Sequence, residues 1–223
     1  MRHVFSPSDM GIPSGRYRIY LVCVKMATAR WTSPLELKDL LKTTVHRKCE
    51  FPASAYFRAS EEMERNYITK LAASRGLDST GLSHKHVVPS GNRKRAKMFV
   101  ELAKQKLGPL ASGGVPDACC DLMQYPSRSQ LSRTSPALTQ RNIVYSLKKG
   151  RPMIALERLG AMGLPILSFE PDLIDRYPFT VPIESILEES EIEKMMGNGM
   201  HAAAVGVIIL ASLANVSILH DAD

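Results

Sequence analysis

Aromatic residues are scarce in this chain of 223 residues, at 6%, and Trp31 is the one tryptophan. So few rings argue against a platform that stacks the successive bases of a single strand. Cysteine is scarce too: Cys23, Cys49, Cys119 and Cys120 include no Cys-x-x-Cys pair and no metal-ligand spacing with the histidines. That leaves no zinc finger or ribbon and no thioredoxin-like redox motif, and no metal is expected. The neighbours Cys119 and Cys120 cannot bridge each other without strain, so a reduced, intracellular setting fits. The opening Met1-Arg2-His3-Val4-Phe5-Ser6 lacks the apolar stretch of a secretory signal. No internal repeat is present.

One long apolar run exists, over 202–219, and it raises the question of a membrane span. Ser212, Asn215 and Ser217 interrupt it, alanine and glycine dilute it, and the residues beyond it are acidic rather than basic. A buried helix is the expectation, with a membrane anchor or interaction module as the alternative.

What is present is globular material: 44% hydrophobic and 23% charged residues, enough for one core or one core and a small lobe. The net charge of +7 is unevenly spread. Residues 168–223 hold ten acids and two bases, so the rest of the chain carries the positive charge. Within 84–107, Lys85, Arg93, Lys94, Arg95, Lys97, Lys104 and Lys106 face Glu101 alone. Such a face suits a polyanion, and a merely solvated helix is the plainer reading.

Local signals give a coarse order of elements. Residues 11–24 read as a turn and a buried strand. Ser33, Pro34 and Glu36 predict a helix start running to about Leu41. Ser60, Glu61 and Glu62 predict a second helix to about Ala73. Residues 76–92 read as loop. Residues 93–107 read as a helix burying Met98, Leu102 and Leu107, stopped by Gly108 and Pro109. Residues 110–141 are rich in serine, proline and glycine. A short helix is expected over 154–162, a loop over 163–182, and a capping box at Ser190 and Glu193 opens a helix that ends at Gly197.

Three segments carry chemistry. The first is Gly11-Ile12-Pro13-Ser14-Gly15-Arg16-Tyr17-Arg18, followed by Ile19-Tyr20-Leu21-Val22. It resembles motif VIII of the DNA cytosine-5 methyltransferases, Gly-Val-Pro-Gln-x-Arg-x-Arg and a strand, with Ser14 in place of the glutamine. The second contains Arg151, Glu157, Gly163 and Pro165, and is similar to motif IX, Arg-x-Leu-Thr-x-x-Glu and then Gly-Phe-Pro, with Ile154 replacing the threonine. The third, Met196-Gly197-Asn198-Gly199-Met200, looks like motif X, whose core is Gly-Asn-Ser-Val. Ahead of the second, Ser135-Pro136-Ala137-Leu138-Thr139 resembles the stretch that closes the family's target-recognition region. Three matches in order make a signal that none makes alone.

The resemblance covers the family's C-terminal part. The chain has no Phe-x-Gly-x-Gly cofactor loop, no Pro-Cys nucleophile loop and no Glu-Asn-Val triplet. It implies an α/β fold: part of the Rossmann-like S-adenosylmethionine-dependent methyltransferase fold without its N-terminal cofactor-binding strands, and with an irregular α-rich insert. The implied division is 1–24 for the motif VIII turn and strand, 25–145 for the DNA-binding insert, and 146–223 for the return through motifs IX and X.

The resemblance also implies roles. Arg18 would donate to the O2 of an extruded cytosine and Arg16 would orient neighbouring groups, as the catalytic pair. Gly197, Asn198 and Gly199 would touch the carboxylate end of S-adenosyl-L-methionine. Lys85, Arg93, Lys94, Arg95 and Lys97 would contact the phosphates of duplex DNA, positioning it without specifying sequence. Arg151 and Glu157 would organise the recognition region. Surface arginines, a plain turn and a structural ion pair are the respective alternatives. Cys119 and Cys120, inside the insert and without the family's proline, are not expected to be the missing nucleophile. The chain would then be a fragment, a split subunit or an inactive copy that needs a second polypeptide or self-association, in a nuclear setting if DNA is its partner. A non-enzymatic nucleic-acid-binding protein is the other class.

Overall fold

Short β-branched and aromatic stretches separated by turns build ribbons here, not a broad sheet. The computed structural model describes residues 1–107, 114–127, 131–139, 141–164 and 189–219, apart from the side chains of Ala53, Lys85, Glu189, Gly197 and Asn198. Among these residues the fold is mixed α/β, and every strand-to-strand ladder is antiparallel. Strand β1 (Arg2–Phe5) pairs with β2 (Arg18–Leu21), Val4 lying opposite Ile19. Strand β3 (Ala29–Trp31) pairs with β7 (Val216–Ile218), close to the other end of the chain. Strands β4 (Cys119–Asp121), β5 (Val144–Ser146) and β6 (Arg151–Pro152) form a three-stranded sheet in that order.

That small sheet separates two cores, because alternate residues on a strand point to opposite faces. Cys119 and Val144 turn toward Leu156 and Leu159 of α5 (Ala155–Ala161) and toward Ile192 and Met196 of α6 (Glu189–Asn198). Cys120 and Tyr145 turn the other way, toward Ala96, Phe99 and Ala103 of α4 (Ser90–Leu107). The third core joins the chain ends: Phe5 and Tyr20 of the β1–β2 ribbon, Leu37 and Leu41 of α1 (Leu37–Thr44), and Ala204 and Ile208 of α7 (Ala202–Ala214). Helix α1, which the sequence division puts with the insert, thus packs with the terminal segments. Two more α-helices, α2 (Glu61–Ala73) and the single turn α3 (His84–Val87), and two short 3-10 turns at Pro7–Asp9 and Ala53–Tyr56 complete the described helical elements.

Some local expectations hold. Ser60 caps α2 by accepting the Met63 N–H at 3.2 Å, and α5 falls where the short motif IX helix is expected. Others do not. Helix α4 presents Asn92, Ala96, Phe99 and Ala103 to the core, leaving Met98 52% exposed. Leu102 and Leu107 do pack against that core, from its margin, while Phe99 is fully buried in it. Strand β2 is not buried on both faces: Ile19 and Leu21 are exposed, since a two-stranded ribbon is covered on one side only. Ser33 accepts the Leu35 N–H at 3.1 Å in a turn, and α1 starts four residues later. Residues 76–92 contain α3 and the start of α4. Ser190 lies inside α6 rather than capping it.

The apolar run 202–219 is also different. Its helix stops at Ala214, where the Asn215 side chain caps the Ala211 carbonyl at 2.8 Å and the β-branched Val216 and Ile218 enter β7. At about 1.5 Å per residue such a helix reaches about 20 Å, short of the roughly 30 Å of bilayer hydrocarbon. Among the described residues no helix is long and apolar enough to cross a membrane. Nor is α7 buried all round: Ile209, Leu210 and Leu213 are exposed. The expected stop at Gly108 and Pro109, Pro165 of the motif IX match, and the loop beyond Leu164 lie outside the described residues.

Candidate functional site

Positions 16, 18 and 20 share one face of an extended segment, and their fates differ. Arg16 is 1% exposed. Its guanidinium donates to the carbonyls of Leu138, Met196 and Gly199, the Met196 bond at 3.3 Å. Burial, and then the nearby Arg18 charge, pull its pKa below the usual arginine value. One side chain therefore binds together the turn after Pro13, the Ser135–Thr139 loop, written 135–139 below, and the glycine–asparagine corner at 197–199. Arg16 is buried behind these carbonyls and is not among the residues lining the cavity that Arg18 faces.

Arg18 remains half-buried, its Nη1 donating to the Tyr17 carbonyl at 2.9 Å. It lines a polar cavity of about 630 Å³ with Tyr17, Asp121, Gln124, Ser132, Thr134 and Thr139. The far wall is held from behind. Gly15 N–H donates to the Ser135 carbonyl and Ser135 N–H to the Pro13 carbonyl, each at 2.8 Å. Asn142 accepts the Thr139 N–H and donates to the Ala137 carbonyl, and Arg158 of α5 donates to the Thr139 carbonyl at 2.7 Å and to Asn142 at 3.1 Å. Helix α5 thus fixes the loop that Arg18 faces. A cation, hydroxyls and a carboxylate around one cavity match a planar polar group with both donors and acceptors.

Asp121, like Gln124, Ser132 and Thr134, lines this cavity without having been singled out in the sequence, and it is the charged one. It is buried, and accepts from the Met123 and Ile143 N–H groups and the Gln124 amide. Its signal was an Asx turn, an acid two residues before the amide it holds, hidden in a serine-rich stretch.

Gly199 is not among the described residues that line the Arg18 cavity, and it meets Arg16 through its carbonyl. The Asn198 side chain stands outside the described residues. His201 follows, 2% exposed, and neither ring nitrogen has a hydrogen-bond partner among the described residues. Burial, and then the Arg16 charge, hold its pKa down to about 4. The ring sits on Gly163, where an added Cβ would lie 2.7 Å from Cε1 and where φ is +80°. Gly163→Ala should therefore cost about 1–3 kcal/mol in urea denaturation, from strain and overpacking together.

His201 also sets a pH dependence. Its folded pKa lies below its unfolded value of 6.5, so its contribution is complete above pH 6.5 and disappears as pH falls toward 4. The shift is worth roughly 3 kcal/mol. His201→Gln should remove that acid-side slope from the stability profile.

Arg151 and Glu157 do meet. Glu157 is fully buried, and its oxygens accept from Arg151 at 2.6 and 2.7 Å, from Ile154 N–H at 3.1 Å and from Ala59 N–H at 2.8 Å. Arg151 Nε also pairs with Glu64 at 2.7 Å. Burial would lower the Arg151 pKa, but the Glu157 and Glu64 carboxylates outweigh it and raise the value. The bridge ties β6 and α5 to α2, a structural task.

The basic run splits. Arg93, Lys94 and Lys97 line a groove of about 760 Å³ beside α4. Arg95 turns away, donating to the Leu122 carbonyl at 2.8 Å and lying 4.9 Å over the Tyr125 ring. The Lys85 side chain stands outside the described residues. Cys119 and Cys120 are fully buried, and burial pushes both thiols up, so neither is a thiolate nucleophile. Among the described residues no group of histidine, cysteine, aspartate and glutamate could hold a metal.

No protein-family model matches this chain, and no curated protein is significantly similar to it.

Proposed function

We propose that this chain is the C-terminal, target-recognition part of a DNA cytosine-5 methyltransferase. The observation that carries the reading is Arg16, whose guanidinium joins its own segment to two others that also resemble pieces of that family and lie 122 and 180 residues further along the chain. Short words matched by chance have no reason to share one buried side chain.

In this reading Arg18 is the catalytic residue. A cytosine extruded from the duplex enters the cavity it lines, and the permanent positive charge stabilises negative charge on the ring at O2 as the ring is attacked. Asp121 and the hydroxyls of Ser132 and Thr134 complement the remaining edge. The attacking thiolate, the assisting acid and most of the S-adenosyl-L-methionine pocket come from a second polypeptide of Rossmann-like fold. The corner at 197–199 contributes its edge. The exposed Ile19 and Leu21 of β2 and Ile209, Leu210 and Leu213 of α7 offer that partner an apolar surface.

The groove beside α4 favours a second reading, a nucleic-acid-binding protein without enzymatic activity, because its cations depend on no other motif. Duplex DNA binding is expected in both. Affinity should fall steeply with salt, with a log–log slope steeper than about −2 if three or more phosphates are neutralised. S-adenosyl-L-methionine binding separates the readings. It is expected once a polypeptide with the Phe-x-Gly-x-Gly and Pro-Cys segments is added, and its absence from such a complex would leave the non-enzymatic reading.

A further inference from the structure

The groove beside α4 has a feature that phosphate contact does not use. Its rim is cationic: Arg93, Lys94 and Lys97 are all exposed, and among the described residues no carboxylate pairs with any of them. Among the described residues the one acid on this rim, Glu101, is already bound to Lys104 at 3.1 Å. The floor is apolar, made by Val88, Ala96, Val100 and the half-buried ring of Tyr145. Gly150 marks its open end, since nothing lies within 4 Å of where its Cβ would stand. The volume of about 760 Å³ is that of a small-ligand site.

A paired duplex keeps the faces of its bases stacked inside and shows only base edges and backbone, so an apolar floor built to take the face of a base would be idle against it. An unpaired nucleotide uses both parts. Its base lies on Val88, Val100 and the Tyr145 ring, and its phosphate reaches the rim. Arg93 and Lys97 are one helical turn apart, about 6 Å along the axis, close to the separation of neighbouring phosphates on one strand. We infer that the groove between α4 and the β5–β6 turn is a binding site for a single unpaired nucleotide of a nucleic-acid strand. One ring serves one base, so this is a point of attachment and not a stacking platform. The inference rests on the nucleic-acid part of the proposed function and not on methyl transfer.

The test is fluorescence anisotropy with one labelled oligonucleotide, as a single strand and as a duplex, on the full chain at several salt concentrations. The single strand should bind about tenfold more tightly than the duplex, the gain of one base stacked on an aromatic ring. Tyr145→Leu should abolish that preference and leave duplex affinity within about twofold. Val100→Lys is the second variant: it raises the positive charge while obstructing the floor, so the single-strand preference should fall although simple attraction would increase. Arg93→Gln with Lys97→Gln should weaken both forms and flatten the single-strand salt slope by about 1.4. A nucleoside monophosphate should compete for the groove better than decyl phosphate.

Equal affinity for the two forms would overturn the inference while leaving the duplex reading intact. So would a preference that survives Tyr145→Leu in a variant whose melt matches the parent, or better competition by decyl phosphate. Binding of neither form would sink the nucleic-acid reading together with the groove.

Discussion

Replacing Arg16 by alanine should cost at least about 3 kcal/mol of folding free energy, taking roughly 1 kcal/mol for each buried carbonyl left without a donor. Those carbonyls belong to Leu138, Met196 and Gly199, so the damage should spread beyond β2. Amide hydrogen exchange should show lost protection at the 135–139 loop and at the end of α6 together. Arg16→Lys should rescue little, because an ammonium on a flexible stem cannot hold three carbonyls in the geometry of a planar fork. Arg18→Ala, one alternation along the strand, should change stability by less than about 0.5 kcal/mol, as a half-exposed side chain that among the described residues bonds to its neighbour's carbonyl. Equal destabilisation by both arginine variants would refute this division of roles.

Glu157→Gln should be the other severe change. The carboxylate is fully buried and meets Arg151 through two oxygens while also accepting the Ile154 and Ala59 N–H groups. Neutralising it removes the fully buried counter-charge of Arg151 and leaves the partly exposed Glu64 as the carboxylate paired with it, so the expected loss is about 3 kcal/mol in urea denaturation, the low end for a broken buried pair. Glu64→Gln is the contrast. Its carboxylate touches the same arginine at 2.7 Å, but its side chain is 28% exposed. Water can solvate what it leaves behind, so the expected loss is about 1 kcal/mol or less. If the two variants cost the same, the bridge does not work through burial.

The sequence was most informative where a residue type has few alternatives. Ser60 followed by acids could do little but cap a helix, and α2 begins there. Arg151 and Glu157, six apart around a helix start, do close on each other. The alternation of Arg16, Arg18 and Tyr20 gave their shared face. It could not give their depth, because depth depends on what returns from residues 138 and 196–199. That is also why two similar arginines turned out to have different tasks. Of the three residues expected to face inward on α4, Leu102 and Leu107 pack against the core and Met98 does not. Hydrophobic size was followed, and Met98 outranks Ala96 in size, although Ala96 and Ala103 are the ones buried. Strands as short as β4 and β6 carry no periodicity to read, and Asp121 was hidden with them. The exposed faces of β2 and α7 were partly foreseeable: an apolar run with no matching run elsewhere in the chain implies an unsatisfied surface.

The most direct measurement is transfer of labelled methyl groups to C5 of cytosine in duplex DNA, by this chain combined with a polypeptide that supplies the cofactor loop, the Pro-Cys segment and the Glu-Asn-Val triplet. Transfer should require both polypeptides, and Arg18→Ala should lower it by about 10²–10³-fold, the usual effect of removing one donor from a developing negative charge. Duplex binding and stability should be unchanged in that variant. Transfer that proceeds equally well without Arg18, or none at all from a complex that binds both DNA and S-adenosyl-L-methionine, would contradict the role given to this chain.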